Sequence, residues 1–338
     1  MKFYLSHLLI FVSITSVFAQ KNTKTAQWEM LKLSVPNVRF VPRELFKVND
    51  TTIYLGSKYY LFKLNADSLQ VNFQSDVDEN VIRSVVDFND STYISVYENS
   101  IFVRKGQNAW SDMLSHEKSK VYFGWEMIEY NSELVSSAWP RWISTYNFKN
   151  KIWTSSTTLD KQGAGYISDF EKTKTDLYVS MYGGGVFKKD RHSDNWIDCN
   201  KNLPKNLNIR AILSIENKRM YATTEDGIYY SKMNVIKWKP CKQTTGDGIK
   251  FVDIRRVGNY IFVTGTNGEL MIGSKNGKKW QNVKIVGSED YVLYSVDELN
   301  GWLYISADGQ GKKPSGVFRI SLYDLNFKLK KGMVVCYQ

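Results

Sequence analysis

The chain has little proline, cysteine and histidine for its length, and each shortage excludes a class of protein. Its 338 residues include six prolines and 14% aromatic residues, which argues against a disordered chain. With three histidines, a histidine-rich zinc site is excluded. The three cysteines cannot form an even disulfide framework, and we expect Cys199 and Cys241 to be buried free thiols. The sequence therefore predicts a folded protein with a large apolar core.

One apolar run stands out, and it lies at the N-terminus. The run 8–18 follows Lys2 and precedes Ala19, a small residue suited to cleavage. It is shorter than the roughly 20 residues that a membrane-spanning helix needs. The pattern predicts a signal peptide over residues 1–19 and an exported domain over residues 20–338. Because no cysteine follows the cleavage site, we expect a secreted or periplasmic protein rather than a lipoprotein.

Tryptophans recur at a nearly constant interval along the chain. Spacings of 43, 43, 42 and 42 residues separate Trp110, Trp153, Trp196, Trp238 and Trp280. A second marker, a tyrosine, phenylalanine or leucine in a short apolar segment, recurs seven times at intervals of 39 to 44 residues. Its positions are Tyr54, Tyr93, Leu134, Tyr178, Tyr221, Phe262 and Tyr304. A period of about 42 residues predicts a protein of seven repeats.

Within each repeat the residue pattern has the period of β-strands. In residues 209–241, short segments rich in Ile, Tyr, Val and Thr are separated by "ENK", "EDG" and "KMN" turns. Four short strands per repeat are typical of a propeller blade, and no segment shows a sustained helical period. The prediction is an all-β, seven-bladed β-propeller with four-stranded antiparallel blades.

Closing the ring requires one chain end to complete the last blade. The segment "QWEMLKL" at 27–33 resembles "KWQNVKI" at 279–285, the expected outer strand of a later blade. We therefore expect the N-terminal strand to complete the last blade. The C-terminal segment "LNFKLKKGMVV" competes for the same place.

Three segments resemble a known repeat family. "LYVSMYGGGVFKKDRHSDNW", "GIYYSKMNVIKW" and "LMIGSKNGKKW" are similar to the G-x-Y-x-S-x-D-G-G-x-T-W segment of bacterial neuraminidase repeats, also called Asp-box repeats. The third segment keeps Ser274, Asn276, Gly277 and Trp280 but is one residue short. The resemblance implies a propeller like those of sialidases and photosystem II assembly factors. Because the motif lies at the periphery of the blade, it implies a fold more than an activity.

The sequence contains no recognised catalytic or cofactor-binding motif. The patterns G-x-S-x-G, G-x-x-x-x-G-K-[ST], H-E-x-x-H and C-x-x-C are absent. We therefore assign no catalytic residue, no metal ligand and no cofactor. Acidic residues occur in nearly every loop between repeats, so a carbohydrate-active enzyme, either a glycoside hydrolase or a polysaccharide lyase, stays open as the alternative to a binding module.

Superposing the repeats brings one position of every innermost strand together. The superposed residues are Glu44, Arg83, Gly124, Ser168, Arg210, Asp253 and Tyr294. We expect them to ring the mouth of the central channel, where the forks of Arg83 and Arg210 suit carboxylate, sulfate or phosphate groups. Alternatively, they line a wet channel and pair with Glu44 or Asp253. With residues from nearby turns, the predicted ligand-binding residues are Arg83, Arg210, Glu44, Asp253, Trp139, Arg141, Tyr182 and Asp226.

A second feature is a set of basic residues in the turns before the outer strands. They include Arg104, Lys105, Lys149, Lys151, Lys188, Lys189, Lys232, Lys237, Lys275, Lys278 and Lys279. Propeller topology places these turns on the face opposite the mouth. They predict either a positive rim facing an anionic surface or lysines that protect the blade edges from strand pairing. We expect a monomer whose partner is an acidic glycan or an envelope protein, and not nucleic acid.

Overall fold

In the computed structural model, the chain is a ring of seven blades, each an antiparallel sheet of four strands, as the sequence predicted. The described residues are 28–33, 41–65, 68–75, 81–97, 100–113, 126–138, 141–156, 159, 165–190, 192–193, 195–204, 207–241, 250–283, 285–311, 313–322, 327–330 and 333–336. The predicted signal peptide, residues 1–19, lies outside them, as does Trp139. No helix in these ranges has the length and apolar composition needed to cross a membrane.

Each blade runs from an inner strand at the channel to an outer strand at the rim. The inner strands are Pro42–Asn49, Ile82–Phe88, Met127–Tyr130, Tyr166–Lys172, Ile209–Ile215, Phe251–Val257 and Val292–Leu299. The second strands are Thr52–Ser57, Ser91–Val96, Glu133–Ala138, Leu177–Tyr182, Arg219–Thr224, Tyr260–Gly265 and Trp302–Asp308. The third strands are Tyr60–Asn65, Ser100–Lys105, Trp142–Asn147, Gly185–Lys189, Gly227–Lys232, Leu270–Ser274 and Gly316–Ser321. The outer strands of blades 1 to 6 are Ser68–Gln74, Ser111–Asp112, Ile152–Ser156, Trp196–Asp198, Val235–Pro240 and Trp280–Val283.

The core lies between the blades. The second strand is covered on both of its faces, so it is apolar or small throughout: every residue of Thr52–Ser57 is buried. The seven marker residues all lie in second strands. Each pair of neighbouring blades shares an apolar cluster. The cysteine prediction is confirmed for Cys199 and Cys241, which are buried free thiols.

The N-terminal segment closes the ring. Glu29–Met30 pairs antiparallel with Gly316–Ser321 and is the outer strand of blade 7. The chain then pairs Lys32–Leu33 in parallel with the outer strand of blade 1. Leu31, between these two pairings, is 4% exposed in the cluster shared by blades 7 and 1. The competing C-terminal segment instead forms a separate hairpin of Phe327–Lys330 and Met333–Cys336.

The strand order gives the ring two faces. Every inner strand begins at one face, which we call the mouth face, and ends at the other, the back face. Antiparallel pairing then places the turns between second and third strands at the mouth face. The turns between third and outer strands, which carry the predicted basic residues, lie at the back face.

Candidate binding site at the channel mouth

A β-bulge recurs near the start of the inner strands and builds the mouth of the channel. In blade 2, Ile82 and Ser84 pair with the second strand while Arg83 between them is left out of register. The same irregularity leaves out one residue in blades 4 to 7 and two in blade 1. The bulged residues are Arg43, Glu44, Arg83, Ser168, Arg210, Val252 and Tyr294. A bulge re-aims a side chain, and all of these residues line one central cavity.

Each second strand has a buried small residue, and in blades 1, 6 and 7 this residue contacts the bulged segment of the next blade. It lies two positions after the marker and is Gly56, Ser95, Ser136, Ser180, Thr223, Thr264 or Ser306. The hydroxyls of Thr264 and Ser306 donate to the carbonyl oxygens of Tyr294 and Arg43 in the next blade, at 3.2 and 2.6 Å. At Gly56 an added Cβ would lie 2.6 Å from the Ile82 carbonyl oxygen. The bulged segments of blades 1, 2 and 7 are therefore fixed by the neighbouring blade.

The cavity at the mouth has a volume of about 160 Å³. Its lining includes four of the predicted residues, Glu44, Arg83, Arg210 and Asp253, together with Arg43, Glu126, Tyr166, Ser168, Asp169, Ala211, Val252 and Tyr294. The structure thus brings both predicted arginines into one cavity with carboxyl and tyrosine side chains.

Three arginines of the mouth each lie over a tyrosine ring. The guanidinium carbons of Arg43, Arg83 and Arg210 are 5.0, 5.9 and 4.4 Å from the ring centroids of Tyr294, Tyr97 and Tyr182. Such contacts stabilise the cation and fix the plane of the guanidinium. The arginine forks are therefore presented in defined orientations at the mouth.

Tyr182 belongs to a polar cluster centred on Glu225. Its ring stacks on that of Tyr166 with centroids 5.1 Å apart, and its hydroxyl donates to Glu225 Oε1 at 2.8 Å. Asn208 Nδ2 donates to Glu225 Oε2 at 2.9 Å, and Arg210 lies 3.4 Å from Oε1. Burial works against the charge of Glu225, but the hydrogen bonds from Asn208 and Tyr182 outweigh it and lower its pKa. This cluster joins blades 4 and 5 at the rim of the cavity.

Below the arginines lies a layer of carboxyl groups crossed by one more arginine. Arg255 of blade 6 donates to Glu44 of blade 1 and, at 3.0 Å, to Asp253 Oδ2. Asp253 Oδ2 also accepts from Ser295 Oγ at 2.7 Å. Asp169 Oδ2 accepts from the Ile212 amide at 2.9 Å. Carboxylates of several blades therefore converge on the channel axis.

Burial changes the ionisation of this carboxyl layer. It raises the pKa of Glu44 to about 7, against the opposing charge of Arg255, and raises the pKa of Glu171 to about 7. Burial and the neighbouring carboxylates raise the pKa of Glu126 well above its ordinary value, and burial raises that of Asp169 similarly. Burial therefore disfavours the charged forms of the Glu126 and Asp169 carboxyl groups at the mouth.

The other predicted residues lie outside the cavity lining. Arg141 lies next to the third strand of blade 3, at the mouth face. Asp226 is exposed at the tip of the turn between the second and third strands of blade 5, and its neighbour Glu225 makes the polar contacts. Trp139 lies outside the described residues. Among the described residues, no group of three or more His, Cys, Asp or Glu side chains has an arrangement that could hold a metal ion.

Several residues of the site escaped the sequence analysis. They are Arg43, Glu126, Tyr166, Asp169, Glu225 and Arg255. A signal for part of the set was present, because inner strands place alternate residues in the channel and "DFE" at 169–171 and "VDIR" at 252–255 alternate polar and apolar residues. Glu225 could also have been found, since it occupies the repeat position of Tyr97 and Tyr182, four residues after the marker.

Comparison with solved structures agrees with the fold. YCF48 bound to a D1 peptide superposes with a TM-score of 0.68 at 14% identity, over 90% of this chain and 98% of that one. The extracellular domain of BT4673 from B. thetaiotaomicron gives 0.71 at 14% identity, over 90% of this chain and 40% of the other. PorZ, a surface component of the type-IX secretion system of Porphyromonas gingivalis, gives 0.59 at 11% identity, over 87% and 38%.

No protein-family model and no curated protein matches the sequence. The structural similarities, all far below 25% identity, show a seven-bladed propeller and nothing finer. The kinship with neuraminidase repeats therefore stays a prediction, and the function has to be argued from the mouth itself.

Proposed function

We propose that this chain is an exported binding module that holds an acidic group of a protein or glycan partner at the channel mouth. The observation that carries the proposal is the ring of bulges, which brings Arg83 and Arg210 from different blades into one cavity. Because neighbouring blades fix the bulged segments of blades 1, 2 and 7, and Tyr182 and Glu225 hold Arg210, binding requires little ordering of the protein. Arginine forks fit carboxylate and sulfate groups.

The carboxyl layer is compatible with an anionic ligand. Burial disfavours the charged forms of Glu126 and Asp169, which reduces the negative charge facing the guanidinium groups of Arg43, Arg83 and Arg210. Tyr166 and Tyr182 supply stacked aromatic surface beside Arg210, which suits a sugar ring or a peptide side chain.

The similar structures support the proposal without deciding it. YCF48 was solved with a bound peptide, BT4673 contributes an extracellular domain, and PorZ is a bacterial surface component. Together with the apolar N-terminal run, these similarities favour an exported protein that binds a partner.

The test compares the chain from residue 20 with a variant carrying Arg83→Gln and Arg210→Gln. Retention is measured on immobilised chondroitin sulfate, polygalacturonate, dextran and an array of acidic and neutral peptides. We expect retention on at least one acidic probe, weakened by about tenfold or more in the double variant. The control removes the same number of charges with Lys105→Gln and Lys149→Gln, at exposed residues on the back face of blades 2 and 3. Equal retention of the double variant and wild type would refute the role of the mouth.

A second candidate function is carbohydrate cleavage, favoured by two carboxyl groups with raised pKa values in the cavity. Glu126 or Asp169 could serve as a general acid. New reducing ends or unsaturated products from the same polysaccharides, abolished by Glu126→Gln or Asp169→Asn, would establish this activity. Retention without products would leave the binding module.

A further inference from the structure

The back face is not uniformly basic, because its positive charge is concentrated on blades 5 and 6. On these two blades, charged residues lie in the back-face turns and at the adjoining strand ends. Among the described residues there, eight are basic and one, Glu216, is acidic. The basic ones are Lys218, Arg219, Lys232, Lys237, Arg256, Lys275, Lys278 and Lys279, which we call the basic patch. Elsewhere acids accompany the lysines: Lys172 pairs with Glu129, and Lys188 with Asp176.

Contacts between the two blades make the patch continuous. Arg219 Nη1 and the Tyr221 hydroxyl, both of blade 5, donate to the carbonyl oxygen of Asn276 in blade 6 at 3.0 and 2.8 Å. Lys275 of blade 6 lies 3.4 Å from Glu216 of blade 5. The turn carrying Lys275, Lys278 and Lys279 is therefore fixed against the blade 5 turn.

The charges of the patch are exposed and mostly not neutralised. Glu216 pairs with Lys218 and Lys275, whose side chains remain 79% and 53% exposed. The ammonium groups of Lys232, Lys278 and Lys279 form no ion pair with the described residues. A lysine ammonium group is a point charge on a flexible side chain, so a set of them suits an extended anionic surface. The arginine forks of the mouth instead suit a single oriented anionic group.

The patch includes an exposed apolar side chain in blade 5. Val235 opens the outer strand of blade 5, between Lys232 and Lys237, and is 62% exposed. A surface of lysines around an exposed apolar residue is suited to the boundary between the headgroups and the acyl chains of a bilayer.

We propose that the basic patch docks the protein on an anionic membrane surface, with lipid phosphates neutralising the lysines and Val235 reaching into the headgroup layer. A bilayer is favoured over a soluble polyanion because the charges stand on projecting turns at one face and because Val235 would gain nothing from a soluble chain of charged sugars. The mouth lies on the opposite face, so a membrane-bound molecule would keep its binding site accessible.

The test uses sedimentation of the chain from residue 20 with vesicles of 30% phosphatidylglycerol in phosphatidylcholine and with pure phosphatidylcholine. We expect binding to the anionic vesicles at about 0.05 M salt and its loss by about 0.5 M salt, because salt screens the attraction between exposed charges. A variant with Lys232, Lys278 and Lys279 changed to Gln should bind about tenfold or more weakly. The control changes Lys105, Lys149 and Lys151, in the same kind of turn on blades 2 and 3, to Gln and removes the same charge.

Val235→Ser should weaken vesicle binding further, whereas Ile152→Ser, at an outer-strand residue that is 52% exposed on blade 3, should not. Equal binding to neutral vesicles, or an equal loss in the blade 2 and 3 control, would overturn the proposal. So would binding to soluble chondroitin sulfate through the same three lysines without any binding to vesicles. The Arg83→Gln and Arg210→Gln variant should sediment like wild type, which separates this result from the function of the mouth.

Discussion

Arg255 and Glu44 form a salt bridge across the channel, between blades 6 and 1, although the residues are 211 positions apart. The pair therefore bypasses blade 7, which lies between them in the ring. The side chain of Glu44 is 28% exposed, and it lines the central cavity. Burial disfavours the charge of Arg255, but the carboxylates of Asp253 and Glu44 outweigh it and raise its pKa well above its ordinary value. Arg255 thus supplies positive charge that compensates the carboxylates of Glu44 and Asp253 beside the arginines of the mouth.

Removing Arg255 should expose the repulsion within this layer. We expect Arg255→Met to lower the free energy of unfolding by about 3 to 5 kcal/mol at pH 8, because buried carboxylates lose their counter-charge. At pH 5 the loss should be smaller, since Glu44, with a pKa of about 7, is then protonated. Urea unfolding at both values measures this. The matched control is Arg256→Met, at the exposed neighbour, which should cost less than about 0.5 kcal/mol. A loss independent of pH would contradict the electrostatic explanation.

Leu31 should contribute strongly to ring closure by the N-terminal segment. Its side chain is 4% exposed between blades 7 and 1, and its amide donates to the Val317 carbonyl oxygen at 2.8 Å. We expect Leu31→Ala to cost about 2 to 4 kcal/mol in denaturant unfolding, because it leaves a cavity at the junction. Met30→Ala, one residue earlier and 47% exposed, removes a side chain of similar size from the surface and should cost far less. Similar losses would mean that strand pairing alone closes the ring.

Gly277 joins two blades through a close approach that no other residue permits. Its φ is +62°, and an added Cβ would lie 2.1 Å from the Tyr221 hydroxyl oxygen. Gly106 has a similar φ of +56° with no atom within 4 Å of that position. Both glycine-to-alanine changes introduce backbone strain, but only Gly277→Ala adds a collision. We expect Gly277→Ala to lower the melting temperature clearly more than Gly106→Ala. Equal shifts would show that Tyr221 moves aside without cost.

Buried carboxyl groups with raised pKa values should make stability fall as the pH rises. Burial raises the pKa of Glu171 to about 7 and that of Asp297 to about 6, so the folded state binds more protons than the unfolded state above about pH 4.5. The stabilising contribution of these protons is fully present below the unfolded pKa and is lost as the pH rises through the folded values. We expect the melting temperature to decrease between pH 5 and pH 8.

Glu171→Gln tests this assignment. The glutamine oxygen can still accept from the amide of Ser214, which lies 2.8 Å from Glu171 Oε1, and it carries no proton to lose. The variant should therefore show a flatter pH profile, with a gain over wild type of about 1 kcal/mol or more at pH 8. Glu216→Gln, at an exposed turn residue, is the control and should leave the slope unchanged. A variant as steep as wild type would remove Glu171 as the cause.

The sequence could predict the blades and the mouth because both follow the repeat. The marker residue Tyr54 and its six equivalents give the number of blades, and the likeness of 27–33 to 279–285 identifies the strand that closes the ring. The bulged position lies ten residues before most of the markers, which gives Arg83 directly. In blade 6 the sequence analysis chose Asp253, whereas the bulged residue is Val252, ten residues before its marker.

The repeat could not predict contacts that depend on one side chain of one blade. Nothing in the period relates Arg255 to Glu44, because the contact joins blades that are not neighbours. Similarly, "TED" in blade 5 offers two acidic residues, and the pairing of Thr224 with Gly227 determines which one faces the cluster. The concentration of charge on two blades of the back face likewise emerges only when the turns are placed beside each other.

Tyr182 allows the polar and aromatic contributions to the mouth to be separated. Tyr182→Phe keeps the stacking on Tyr166 and the contact with Arg210, but it removes the hydroxyl that donates to Glu225. We expect it to cost about 1 kcal/mol in unfolding and to leave retention on an acidic polysaccharide nearly unchanged. Tyr182→Leu removes the ring as well, so the plane of the Arg210 guanidinium is no longer fixed and retention should fall several-fold. If both variants lose retention equally, the hydrogen bond to Glu225, and not the ring, orients Arg210 for binding.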